Sequence, residues 1–206
     1  MKLVLDACVL FPPVLREILL GAAARRLFRP VWSERILEEW ARASRRLGPA
    51  SEARVRAEIA TLRALWPGAM TPVHGALEAR LHLPDEDDIH VLATAVASGA
   101  DGIVTLNAGD FPRGTLAAEG LVRRDPDGLL WELWSHEPET VADAVEEVRA
   151  TAERISGTAC TRRALLRRAG LRRLAKAMEQ TAGGVADGPH APAAAGQVRG
   201  AGPGRA

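Results

Sequence analysis

The sequence predicts an α/β fold in which helices cover a parallel sheet. Two short apolar runs with β-branched members, KLVLDACVL at 2–10 and GIVTL at 102–106, are typical of strands buried on both faces. Helical patterns separated by proline and glycine lie between these runs, at 13–28, 33–47, 51–65 and 86–98. Strands that alternate with helices in this way favour a sheet wrapped by helices.

The remaining elements divide the chain into three predicted parts. Further short strands are expected near 30–32 and 120–123, and beyond them LLWELW, 138–156 and 161–180 are predicted to be helices. We therefore predict an α/β domain over 1–128 and a helical C-terminal subdomain over 129–181. The tail at 182–206 is mostly Gly, Ala and Pro, so it cannot bury enough apolar surface to fold and is expected to be disordered.

Composition excludes several classes of protein. The net charge of +1 over 206 residues excludes a globally basic nucleic-acid binder, although local basic patches remain compatible with it. Cys8 and Cys160 lie far apart and have no zinc-ligand spacing, which is typical of a protein in a reducing cytoplasm. No apolar run approaches the roughly 18 residues of a membrane span, so a cytoplasmic protein without a membrane segment is expected.

A run of acidic residues precedes the helix predicted at 86–98. Asp85, Glu86 and Asp87 fit an ordinary helix start, because the macrodipole favours acids there. Asp88 instead falls inside the apolar arc of the helix, where a carboxylate costs several kcal/mol unless a cation or hydrogen-bond donors satisfy it. His90 falls on the opposite arc and is expected to face water.

Two further acids occupy positions that suit a ligand crevice. Asp6 is the only charged residue in LVLDACVL and stands toward the end of the first strand, where α/β sheets bind ligands. The alternative for Asp6 is a residue that turns the chain into a loop. Glu39 borders the apolar face of the 33–47 helix and Glu38 points away, although Glu39 could instead pair with Arg35 or Arg42 at helical spacing.

Polar residues also follow the second apolar run. Thr105, Asn107 and Asp110 lie at or just beyond its end, and the alternative for the last two is an Asx turn and a loop aspartate. The sequence therefore predicts an oxygen-only ligand set that suits Mg²⁺ or Mn²⁺ better than zinc, made of Asp6, Glu39, Asp88 and Asp110. Such ions activate water and stabilise in-line displacement at phosphodiesters.

Three segments resemble the PIN-domain nucleases, and within them the VapC-type toxins: LVLDACVL, SERILEEW and PDEDDIHVLATAVASGADGIVTLNAGDF. In the last segment the elements D-D-x-H-V-L-A-x-A, G-A-D, V-T-x-N and D-F stand in family order and spacing. LLRRAGLRRLAKAM also resembles the C-terminal extension of one VapC subgroup. The resemblance implies a three-layer α/β/α sandwich and a Mg²⁺- or Mn²⁺-dependent endoribonuclease that cleaves single-stranded RNA.

The resemblance also bears on the site and the partners. Asp6, Glu39 and Asp88 match three acidic family positions, whereas Asn107 stands where some relatives have aspartate, so either Asp110 or Asn107 fills the fourth position. It further implies an antitoxin protein, a homodimer and assembly with the antitoxin on promoter DNA. The alternatives are a catalytically inactive PIN-like module that binds RNA or protein, and a phosphatase with Asp6 as nucleophile, which would want an acid where Cys8 stands.

The segment TRRALLRRAGLRRLAKAM at 161–178 carries seven basic residues, and no acid occurs before Glu179. An RNA backbone would be attracted to this segment. The interpretation we favour from the sequence is a solvated face that pairs with the preceding acidic helix, ETVADAVEEVRATAE. The five tryptophans fall mainly on apolar helical faces and are predicted to be core or interface residues, not platforms for bases.

Overall fold

The computed structural model describes residues 1–73 and 75–184, and within them four parallel strands form one sheet. The strands are β1 (Lys2–Leu5), β2 (Arg29–Val31), β3 (Gly102–Val104) and β4 (Val122–Arg124), in the order β2-β1-β3-β4. In the central strand, Val4 lies opposite Val31 on one side and Ile103 on the other. The predicted α/β fold with a parallel sheet is therefore confirmed.

Helices cover this sheet and extend beyond it. In the described residues they are α1 (Ala7–Leu10), α2 (Pro13–Ala24), α3 (Glu34–Ser44), α4 (Pro49–Leu65), α5 (Gly75–Glu78), α6 (Ile89–Ser98), α7 (Arg113–Ala118), α8 (Pro126–His136), α9 (Pro138–Ser156), α10 (Arg162–Arg168) and α11 (Arg172–Gly184). A 3₁₀ turn over Glu86–Asp88 leads directly into α6. None of the described helices is long and apolar enough to cross a membrane.

The first strand is shorter than the sequence predicted. The apolar run 2–10 was expected to be one strand, but β1 ends at Leu5 and the run continues as α1. Asp6 is the junction, because its N–H still donates to the Val104 carbonyl of the sheet while its own carbonyl accepts from Val9 N, the first turn of α1. A short apolar run cannot distinguish a strand from a buried helical turn by its periodicity.

The C-terminal region also differs from the prediction in detail. The helix expected over 161–180 is two helices, α10 and α11, because Gly170 adopts φ +81° between them. Residues 182–184 belong to α11, and the rest of the predicted tail, 185–206, lies outside the described residues. The boundary proposed at residue 128 stays a prediction, although buried residues of α8 and α9 join the same core as the sheet.

A buried arginine joins three of the helices. The Arg16 guanidinium donates to the Leu10 carbonyl at 2.8 Å and to Glu58 of α4 at 2.9 Å, and it lies over the Trp40 ring of α3, 4.6 Å from the ring centre. A buried cation is tolerated only when it is paired and hydrogen-bonded in this way. Arg16 therefore fixes α3, the helix that carries Glu39, against α2 and α4.

We predict that Gly102→Ala destabilises the fold. An added Cβ at Gly102 would lie 2.3 Å from the Val122 carbonyl oxygen of the neighbouring strand, and backbone in a sheet cannot move away cheaply. Overpacking of this kind costs about 1–3 kcal/mol, measured as the free energy of unfolding in urea.

Gly114→Ala in α7 is the matched control, because nothing lies within 4 Å of an added Cβ there. Alanine is the better helix former, so this change should leave the free energy of unfolding equal or slightly higher. A Gly102→Ala protein as stable as Gly114→Ala would contradict the tight β3–β4 pairing.

Candidate metal centre

The predicted site residues collect at the carboxyl edge of the sheet. Asp6 follows β1, and Thr105 follows β3, with Asn107 and Asp110 in the loop beyond it. Because parallel strands end at the same edge, these residues become neighbours there. Helix α3 brings Glu39 to this edge, and the 3₁₀ turn before α6 brings Asp88.

Asp6 is buried and held by two donors. Its Oδ2 accepts a hydrogen bond from the Thr105 hydroxyl at 2.7 Å and one from the Cys8 thiol at 3.0 Å. The Thr105 oxygen in turn accepts from Asn107 N at 2.9 Å, so the end of β3 is tied to the end of β1. Burial, and then the charge of Asp6, raises the pKa of the Cys8 thiol to about 12, so Cys8 remains a protonated donor at neutral pH.

Three aspartates come close enough to share one ion. Asp85, Asp88 and Asp110 each offer a carboxylate oxygen, and these three atoms lie within 4.8 Å of one another. The Asp110 carboxylate also accepts a hydrogen bond from the Asn107 side-chain amide. Asn107 therefore positions the acid of its own loop.

Asp85 is the member of this group that was not predicted as a ligand from the sequence. It was interpreted as part of a helix start, and it has that role, since its Oδ1 accepts from Asp87 N at 2.9 Å. The signal that could have identified it is its spacing from Asp88, because residues i and i+3 lie on the same side of a 3₁₀ turn. The capping interaction leaves its second oxygen available to a ligand.

Asp88 lies at the centre of the negative charge. Its pKa is raised to about 7, first by burial and then by the charges of Asp6, Asp110, Asp85 and Glu39, in that order. The four carboxylates predicted from the sequence thus share one electrostatic neighbourhood, with Asp85 as a fifth member. Like charges this close persist together only with a proton or a cation among them.

The donor chemistry fits a hard divalent ion. The available ligands are carboxylate oxygens, and the nearby thiol is protonated, so the group suits Mg²⁺ or Mn²⁺ better than zinc. Asp85, Asp88 and Asp110 are the residues that would hold the ion, with Asp6 and Glu39 adding negative charge around them.

Glu39 is held from two sides. Its Oε1 lies 2.7 Å from His90 Nε2 and 3.6 Å from Arg35 Nε, so the predicted alternative contact with Arg35 is present as a long ion pair. The His90 nitrogen and the Glu39 oxygen are close, but the angle between them is not that of a hydrogen bond. Neither ring nitrogen of His90 has a hydrogen-bond partner among the described residues. The ring therefore restricts where the Glu39 carboxylate can lie.

The expectation that His90 faces water is wrong. His90 is 1% exposed, because α6 packs against α3 and α5 as well as against the sheet, so that its outer arc is covered at His90 and Ala93 and exposed only from Ala97. A wheel drawn for one helix predicts one buried face, whereas α6 lies between elements on two sides. The missed signal was the apolar character of its far arc, where Ala93 is also fully buried.

Glu38 has a different environment from its neighbour. It accepts hydrogen bonds from Arg42 Nε at 3.0 Å and Arg56 Nη1 at 2.9 Å. These bonds, with that of Arg56 the stronger, lower the pKa of Glu38 to about 2. Glu38 thus belongs to an exposed cluster of glutamate–arginine pairs between α3 and α4.

A comparison with protein families gives an independent result. A family model described as "PIN domain" matches residues 2–109, which include Asp6, Glu39, Asp85 and Asp88 and end one residue before Asp110. No curated protein and no solved structure shows a significant match to the chain.

We predict that Asp88→Asn stabilises the metal-free protein at pH 8. Between the ordinary pKa near 3.8 and the raised value of about 7, the folded protein keeps a proton that the unfolded chain has lost. Stability from this group is therefore present below the ordinary pKa and falls as pH rises through that window. The gain in melting temperature of Asp88→Asn should be largest at pH 8 and vanish near pH 4.

At saturating Mn²⁺ the wild type should instead have the higher melting temperature of the two proteins. An ion that binds only the folded wild type raises its melting temperature by mass action. Asp87→Asn is the control, since Asp87 belongs to the same 3₁₀ turn but not to the aspartate group. Equal responses of the two variants to pH and Mn²⁺ would contradict the placement of Asp88.

Proposed function

This chain belongs to the PIN-domain family, whose members are generally nucleases, and we propose that it is a metal-dependent endoribonuclease that cleaves single-stranded RNA. The observation that carries the proposal is the position of Asp88 among four other carboxylates, with its pKa raised to about 7. Strongly perturbed carboxylates in one group are typical of catalytic sites.

Each residue of the proposed site would have a separate role. Asp85, Asp88 and Asp110 hold the ion, and the fixed Asp6 and the restrained Glu39 complete the negative surroundings. A bound Mg²⁺ or Mn²⁺ supplies an activated water and stabilises the charge that develops on the phosphodiester. Asp88 releases its proton when the ion binds, so metal affinity should rise with pH up to about 7.

The geometry favours hydrolysis by water over covalent catalysis. The Cys8 thiol is protonated and engaged with Asp6, so it is not available as a nucleophile. A phosphatase with Asp6 as nucleophile would want an acid two residues on, and the residue there is Cys8, whose protonated thiol binds Asp6. The phosphatase alternative, with Asp6 as nucleophile, is accordingly disfavoured.

The inactive-module alternative depended on Asn107 at a metal-side position. In the structure Asn107 donates its amide to Asp110, and Asp110 brings a carboxylate to Asp85 and Asp88. The charge that an aspartate at 107 would supply is thus present three residues later. This arrangement supports an active enzyme with Asp110 in the fourth position.

We extend the proposal to the biological setting that the sequence motifs imply. The chain would be the toxin of a VapBC-type toxin-antitoxin pair in the cytoplasm, a homodimer inhibited by a small antitoxin protein. The position of Asp85 supports this, because it is the exposed member of the aspartate group and an arginine of such a partner could pair with it and exclude the ion.

Glu39→Gln and Glu38→Gln give the sharpest test of the proposed activity, since adjacent residues of α3 lose the same charge. Glu39→Gln should lower single-turnover cleavage of an RNA oligomer at saturating Mn²⁺ by about 10²-fold, the scale seen when a metal site loses a partner. Glu38→Gln should leave cleavage within about twofold, because Glu38 pairs with Arg42 and Arg56 outside the acidic group.

Wild-type protein treated with EDTA should be inactive and should recover activity with Mn²⁺. Equal losses in the two variants, or cleavage that persists in EDTA, would contradict the assignment of the site.

A further inference from the structure

We propose that α10 and α11 form a binding surface for the phosphate backbone of the RNA that the acidic site cleaves, an inference that rests on the proposed function. We call this the basic surface and define it by the exposed side chains of Arg167, Arg168, Arg172 and Lys176. The partner is single-stranded RNA, recognised by its regularly spaced negative charge.

The basic surface is the outer side of a packed helix pair. The inner side of α10 and α11 is apolar and buried, and consists of Leu165, Leu166, Leu171, Leu174, Ala175 and Met178. Nearby, Arg163 pairs with Glu179 at 3.1 Å, and the Arg173 guanidinium lies over the Trp131 ring at 3.7 Å. Within the described residues the four members of the basic surface make no ion pair.

The acidic helix α9 does not neutralise this surface. The sequence predicted that this acidic helix pairs with the basic segment, but Arg149 of α9 itself pairs with Glu153, and Arg25, which follows α2, pairs with Glu147. Arg149 also binds Glu146, and Arg162 adds only a minor lowering of the Glu146 pKa. In the described part of the chain no ion pair joins α9 to α10 or α11, so the predicted pairing is wrong, whereas the predicted solvated face of exposed arginines is present.

Helix stability accounts for Arg167 and Arg168, which lie in the last turn of α10 where the macrodipole favours cations, but it does not account for Arg172. Arg172 begins α11, where the macrodipole disfavours cations. The compensating anion comes from Asp127 of α8, whose carboxylate accepts hydrogen bonds from Arg173 N at 2.8 Å and Leu174 N at 3.0 Å. The charge of Arg172 therefore contributes little to the stability of the fold, whereas it would attract a polyanion bound at the protein surface.

The same contacts place the start of α11 at the edge of the sheet that carries the acidic site. Thr105, which binds Asp6, donates its N–H to the Arg124 carbonyl at the end of β4. Asp125 then caps α8, and Asp127 in the first turn of α8 binds the backbone of α11. The backbone at the start of α11 is thus linked to Asp6 by a short series of contacts, through Thr105, the end of β4 and the first turn of α8.

The surface chemistry fits RNA better than an acidic protein. Protein interfaces bury a core of large apolar side chains, and among the described residues none of the exposed large apolar side chains lies in α10 or α11. A phosphate backbone is instead contacted mainly by Arg and Lys and by other hydrogen-bond donors.

The test compares two double variants of the full chain that each remove two positive charges. Arg172→Gln with Lys176→Gln alters the basic surface, and Arg46→Gln with Arg154→Gln removes exposed arginines elsewhere. Binding of a labelled single-stranded RNA oligomer is measured in EDTA over a range of salt concentrations. The first variant should bind about tenfold more weakly at 0.15 M salt, with a log–log salt slope smaller by about 1.4, while the control matches wild type.

Cleavage with Mn²⁺ separates this inference from the proposed function. The basic-surface variant should show a raised KM with an unchanged kcat and an unchanged melting temperature. Binding equal to that of the control, or no RNA binding by wild type at any salt, would overturn the inference even if cleavage occurs. Salt-dependent binding through this surface without any cleavage would support the surface and overturn the nuclease assignment.

Discussion

Repulsion among the carboxylates around Asp88 is the constraint on which the functional edge of this protein depends. Burial and four neighbouring acids raise the pKa of Asp88 to about 7, so the metal-free fold retains a proton there or is destabilised by the charge. A bound divalent cation offsets the repulsion, so that the fold neither retains the proton nor is destabilised by the charge of Asp88. The same arrangement that weakens the free protein therefore creates its affinity for an ion.

The fold tolerates this repulsion because each of the four acids around Asp88 is held by a neighbour. Thr105 and Cys8 bind Asp6, Asn107 binds Asp110, and the backbone of the 3₁₀ turn binds Asp85. His90 and Arg35 restrain Glu39. These four carboxylates thus keep their positions before an ion arrives, which limits the reorganisation that binding requires.

Much of this architecture could be predicted from the sequence, because burial on both faces and helical spacing leave direct signatures. The parallel sheet followed from the apolar runs, and the phase of α3 separated Glu39 from Glu38, which the structure places in different environments. The predictions that were wrong concern residues whose surroundings are determined by long-range packing. The covering of His90 by α3 and the pairing of Arg149 within α9 depend on contacts that no local pattern contains.

The end of β1 and the role of Asp85 illustrate a different limit. Asp6 takes part in the sheet through its N–H and in α1 through its carbonyl, so periodicity alone could not locate the boundary. Asp85 serves as a cap and as a candidate ligand, and the first role concealed the second. A sequence pattern that indicates one role for a residue does not reveal a second role of the same residue.

The most direct test of the central claim is the anomalous scattering of Mn²⁺ in crystals of the protein. We expect a peak within bonding distance of carboxylate oxygens of Asp85, Asp88 and Asp110, and its loss from crystals of Asp88→Asn. Crystals of wild type with no peak at this group, or with a peak that persists unchanged in Asp88→Asn, would contradict the account.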